Sequence, residues 1–138
     1  MADQVLLERL DQLHKEQKNR EILAEMAKLP PEEQKEYQLQ SRLGRALGNL
    51  GRHRDALRVL EALAEEGEND PLWWYRMGCA WYCLVETDRA EEQLRRALEL
   101  DPDCQGAHEV MLLIQKLRRR ENDDSKKKGN KKEGETVG

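Results

Sequence analysis

The chain repeats itself. Segments beginning at Tyr37 and Pro71 lie 34 residues apart and carry matching residues in register: Leu43-Gly44 with Met77-Gly78, Leu47 with Trp81, Ala56 with Ala90, and Leu60 with Leu94. Apolar residues within each segment recur every three to four positions, which is helical spacing, and a short turn divides each segment in two. A helix–turn–helix unit of this length cannot bury its apolar face alone, so copies must stack into a solenoid. Two copies are marginal and at least three are generally needed, so the flanking segments must complete the array.

The rest of the sequence is consistent with that architecture. The 138 residues suit one domain, and 38% apolar with 38% charged residues and no Phe fits amphipathic helices around a thin core. No run of 18 apolar residues could cross a membrane, and charges within MADQVLLERLDQLHKE argue against a secretion signal. Three cysteines, an odd number, argue against a disulfide framework and for a reducing compartment. A cytoplasmic protein is expected. The net charge of −4 divides unevenly: residues 118–138 hold eight Lys/Arg against five Asp/Glu, leaving −7 on the rest. Neither part is extreme enough to argue for nucleic acid.

About seven helices are expected. The first covers 3–15, and Asn19 caps a second that carries Ile22, Met26 and Leu29. Pro30-Pro31 ends the second and starts a third, over 31–50. Gly51 breaks the chain before a helix over 54–66; Pro71 opens one to about residue 84, and Thr87 or Asp88 opens one that stops at Asp101-Pro102. The last runs from Asp103 to about residue 120. Residues 121–138, ENDDSKKKGNKKEGETVG, lack apolar residues to offset the entropy of ordering, and disorder is expected there.

With position 1 at Pro71, the second copy places Trp74, Met77-Gly78, Trp81, Ala90, Leu94, Ala97 and Pro102 at positions 4, 7–8, 11, 20, 24, 27 and 32. This pattern resembles the tetratricopeptide repeat (TPR), and RAEEQLRRALELDP is close to that family's consensus. The copy at 37–70 keeps Leu43-Gly44, Leu47, Gly51, Ala56 and Leu60 but has Gln40, Leu63 and Glu68 at consensus positions. Residues 3–34 resemble a degenerate repeat with Leu6, Leu10, Leu13, Ile22, Met26 and Leu29, and 105–120 resembles a closing helix. The whole, DPLWWYRMG included, is similar to small bacterial TPR domains. The resemblance implies a right-handed solenoid of antiparallel helix pairs over residues 1–120. It also implies a slightly different or strained turn at Val85-Glu86-Thr87, where the family places a glycine.

The same resemblance implies a non-catalytic, monomeric interaction module that holds a peptide or partner helix in a concave groove. Carried over by position, the groove residues are Gln38, Ser41, Arg45, Gly48 and Asn49 from one copy and Leu72, Tyr75, Cys79, Tyr82 and Cys83 from the next, with Arg42 and Arg76 supplying charge. Independently of the family, Tyr75, Cys79, Tyr82 and Cys83 share one helical face. The tyrosines either anchor a partner or pack on the closing helix, whereas Trp74 and Trp81 read as core. Arginines favour an acidic partner. Ser41, Arg45, Arg76, Gly106 and Val110 stand where some TPR proteins carry a Lys/Asn/Arg clamp for a chaperone tail, so that clamp is not reproduced. Alternatives are a metal- or redox-responsive protein using Cys79, Cys83 and Cys104 with His108, or an engineered or truncated scaffold with no native partner. No cofactor, and no nucleophile–base constellation that would make an enzyme, is read from the sequence.

Overall fold

A computed structural model describes residues 3–136, with side-chain surroundings for 3–129. Nine helices occur among them: α1 Gln4–Lys15, α2 Asn19–Ala27, α3 Pro31–Gln34, α4 Tyr37–Asn49, α5 His53–Glu61, α6 Ala64–Gly67, α7 Pro71–Cys83, α8 Thr87–Leu100 and α9 Gln105–Thr136. The pairs α1/α2, α4/α5 and α7/α8 stack in order, and α9 packs on α8.

The three turns inside the pairs repeat at the level of backbone torsion. Gln17, Gly51 and Val85 have φ of 60°, 82° and 63°, all left-handed, and they lie one repeat length apart. Each begins the same helix stop: Lys18, Arg52 and Glu86 donate their N–H to the carbonyls of Leu13, Leu47 and Trp81 at 2.8, 2.9 and 2.9 Å. Glycine adopts this conformation without penalty, but Val85 does not. The strained turn expected at Val85 is therefore present, and residues 3–34 share the geometry of the other two copies despite their divergent letters.

Small residues set how closely the helices of a pair approach. A Cβ at Gly44 would lie 2.7 Å from Leu60 Cδ2, and one at Gly78 would lie 2.8 Å from Leu94 Cδ2 and 3.3 Å from the Ala90 carbonyl. The corresponding place in the first pair holds Leu10, which is fully buried. Accordingly α1 and α2 sit less tightly together than α4 and α5 or α7 and α8.

The count of nine rather than about seven comes from two breaks. Glu36 is extended, with φ −62° and ψ 136°. The ends it exposes are met by side-chain amides: Gln34 Nε2 donates to the Leu29 carbonyl at 2.7 Å, and Gln40 Nε2 to the Gln34 carbonyl at 2.5 Å. The second break, at Ala62-Leu63, lets the chain fold over Trp73. The Leu60 carbonyl accepts from Leu63 N at 3.0 Å and from Trp73 Nε1 at 2.8 Å, and the Trp73 ring fills the place where a Cβ on Gly67 would stand. Asn19 is not a cap but lies within α2, where Lys18 precedes it without a side-chain bond.

Trp73, only 5% exposed, is the tryptophan at the centre of the core between the second and third pairs, beside Leu57, Leu60 and Met77. Trp74 and Trp81, expected in the core, are half-buried. Their outer faces lie under guanidinium groups, Arg96 at 5.4 Å and Arg89 at 4.8 Å from the ring centres. Position 3 of the repeat is buried against the preceding pair, whereas positions 4 and 11, partly exposed, pack against both that core and the last one.

Helix α9 is held by Ala107 and Ile114 in the last core, and by Arg118, which donates to Asp88 at 2.7 Å and to Glu91. It then continues to Thr136, where disorder was expected from residue 121. Residues 121–129 are all exposed. Extending a helix already nucleated by packing costs far less than starting one, and Asp123/Lys127 and Asp124/Lys128 have the favourable acid-to-base spacing of four. Residues 137–138 of the expected disordered tail lie outside the described residues.

Candidate partner-binding groove

Helices α4 and α7 present parallel faces to a cavity of about 390 Å³, bordered by the end of α1 and the start of α5. Leu72, 49% exposed, and Tyr75, Cys79 and Cys83 form its apolar wall, spaced along one face of α7. Gly48 opens the α4 side: a Cβ there would meet nothing within 4 Å.

Arginines supply the charge. Arg42 forms a two-pronged pair with Asp11, Nε to Oδ1 and Nη2 to Oδ2, both at 3.0 Å. Arg45 Nη2 reaches the same carboxylate at 3.0 Å, but its buried Nε has no partner. Arg76 donates only to Ser41, to its carbonyl at 3.3 Å and to its hydroxyl. Among the described residues no carboxylate lies within ion-pair distance of Arg76. Asp70 acts on it from further away and is itself engaged by Tyr37 Oη at 2.7 Å. Burial, reinforced by Arg45, pushes the Arg76 guanidinium down to about 10, so it stays charged near neutrality. Burial and then the field of Arg45 and Arg76 also lower His14, whose Nδ1 lies 3.3 Å from Asn49 Nδ2. Burial works against the Asp11 carboxylate, yet Arg42 and Arg45 together hold it below its ordinary value.

Eight of the twelve residues placed in the groove from sequence line this cavity: Arg45, Gly48, Asn49, Leu72, Tyr75, Arg76, Cys79 and Cys83. The other four do not. Ser41 is buried beneath Arg76, and Arg42 is bound to Asp11 and to Gln38, itself an exposed side chain outside the cavity. Tyr82 packs against the core shared by α8 and α9, with Val110 and Met111. Tyr75 belongs to both settings, since its ring also abuts Gly106, where a Cβ would lie 2.5 Å from Cζ. His14, His53 and Asp11 were missed. Asp11 and His14 stand at positions 9 and 12 of the degenerate repeat, so extending the register backwards would have found them. No signal pointed to His53, which comes from the second helix of its pair.

Cys79 and Cys83 are thiols at neutral pH: burial raises Cys79 to about 11 and raises Cys83 as well. Thiolates, not thiols, bind metal and react. Cys104 is buried in the last core, and the His108 ring nitrogen Nε2 lies 2.7 Å from the Pro102 carbonyl oxygen. Among the described residues no three His, Cys, Asp or Glu side chains gather as a metal site.

Comparison with solved structures finds the same arrangement elsewhere. The first TPR domain of the human RPAP3 protein, determined by NMR, superposes with a TM-score of 0.72, covering 86% of this chain and 94% of that one at 22% identity. The chain has a TPR fold. No family model and no curated protein matches its sequence. The TPR fold accounts for the paired stacking and puts α4 and α7 on the side that borders the cavity.

Proposed function

We propose that this TPR domain is a non-catalytic interaction module, which holds a segment of a partner protein between α4 and α7. The observation that carries this reading is the 390 Å³ cavity, whose walls combine an exposed leucine, an aromatic ring and under-compensated guanidinium groups. Aromatic and arginine side chains dominate binding energy at protein interfaces. The raised Cys79 and Cys83 thiols speak against redox or metal chemistry in the cavity. No helix among the described residues is long and apolar enough to cross a membrane. The reading places the protein in the cytoplasm as a monomer, with its three cysteines free.

Gly48→Trp tests it. A Cβ at Gly48 meets nothing within 4 Å and the position borders the cavity, so the fold should survive, as circular dichroism would show. Affinity capture from the native cell extract with wild-type and variant protein, followed by mass spectrometry, should yield partners that the variant loses. A partner set unchanged by the plug would place binding elsewhere.

A further inference from the structure

The charge in the groove is not balanced within the domain. Of three arginines, Arg42 and Arg45 share one carboxylate, Asp11, while Arg76 has only the more distant Asp70, which Tyr37 engages. Arg76 is left with a neutral hydroxyl and a carbonyl, and the buried Nε of Arg45 with nothing. Overall charge does not explain this, because the protein is net acidic at −4. A desolvated cation without an anion is costly, and it returns that cost when an anion arrives. Guanidinium groups with free N–H donors receive carboxylates by paired, charge-assisted hydrogen bonds.

The geometry points to the chemistry of the occupant: an acidic segment of a partner protein seats an Asp or Glu carboxylate on Arg45 and Arg76, with an adjacent apolar residue against Leu72 and Cys79. This rests on the groove reading above. Both arginines line the cavity together with the apolar wall of α7, so the two contacts fall within one short stretch of peptide. Asn49 Nδ2 is already engaged by His14 Nδ1 and Asn19 Oδ1, which leaves the seat to the two arginines. The cavity draws its lining from four helices, α1, α4, α5 and α7.

The test is selection of random twelve-residue peptides, displayed with a blocked C-terminus, against the purified full chain. Asp or Glu should be enriched at one fixed position beside an apolar residue. Selected peptides should bind Arg76→Gln about tenfold or more weakly, as expected for loss of charge-assisted hydrogen bonds, and Arg76→Lys should restore part of the loss. Should Arg76→Gln unfold in circular dichroism, Arg45→Gln reads out the same seat. Peptides blocked by Gly48→Trp but showing no acidic preference, or indifferent to both arginine variants, would overturn the carboxylate seat and leave the groove standing. Enrichment only in a library with free C-termini, irrespective of sequence, would overturn the assignment to a side chain. No binders, or binders unaffected by Gly48→Trp, would remove the groove reading and the inference together.

Discussion

Arg42 and Arg76 hold the same position in consecutive repeats and meet different ends. Each reaches back to the preceding pair, Arg42 to the carboxylate of Asp11 and Arg76 to the hydroxyl of Ser41. Around them the two repeats are close copies: Gly44 against Leu60 and Gly78 against Leu94, with left-handed turns at Gly51 and Val85. The scaffold is thus shared, while the compensation of a buried charge is not. The proposed function assigns specificity to what the internal pairing leaves over.

Breaking the shared part gives the largest effect. Gly78→Leu should cost about 2–3 kcal/mol in urea denaturation, because the added side chain meets Leu94 and the Ala90 backbone. Gly44→Leu should cost slightly less, since only the Leu60 side chain opposes it. An equal, small cost at both would mean that the crossings are not close.

Making Arg42 resemble Arg76 comes next. Asp11→Asn strips the carboxylate from two guanidinium groups whose side chains are 15% and 16% exposed, while Asp11 itself is 39% exposed. Fully buried pairs lose several kcal/mol and surface pairs almost nothing, so about 1–2 kcal/mol is expected in the same assay. The reverse exchange, Ser41→Asp, gives Arg76 its own anion. Acidic peptides selected on the wild type should then bind about tenfold more weakly, by fluorescence anisotropy.

The turns allow a gain. Val85 is 78% exposed, so Val85→Gly gives up little packing and removes left-handed strain of about 1–2 kcal/mol against an entropic loss of about half that. A net stabilisation of up to about 1 kcal/mol is expected by thermal melting, and Gly51→Val should lose a similar amount.

Acid gives the smallest effect. His14 is held below 6.5, so the unfolded chain binds the proton more tightly; its contribution is complete above 6.5 and is lost as pH falls through the folded value. Asp11, held below 3.8, adds a loss of the same sign further down. Melting temperature should fall on acidification from neutral to about pH 5, and less so in His14→Gln.

Much of the scaffold was legible because a period and a van der Waals limit are both written in residue identity. Gly78 with Leu94 and Ala90 announces a close crossing, and a missing glycine announces the strain at Val85. The breaks at Glu36 and Leu63 were not legible, since they depend on amides and on Trp73, which act across the chain. Trp73 and Trp74 are identical as letters, and only the stacking decides which is central. Most residues expected in the groove on α4 and α7, where the pattern is strong, line the cavity, whereas Asp11 and His14, where it is faint, were not among those expected. Ser41 and Tyr82 were placed outward although neighbouring helices cover them.

The left-handed residue at the end of each first helix has a consequence for descent. A requirement on a torsion angle restricts which letters are comfortable but dictates none, and Gln17, Gly51 and Val85 all satisfy it. A lineage under that constraint can exchange its residues one by one while the spacing of its turns holds still. Ancestry of this kind fades from the alphabet long before it fades from the backbone.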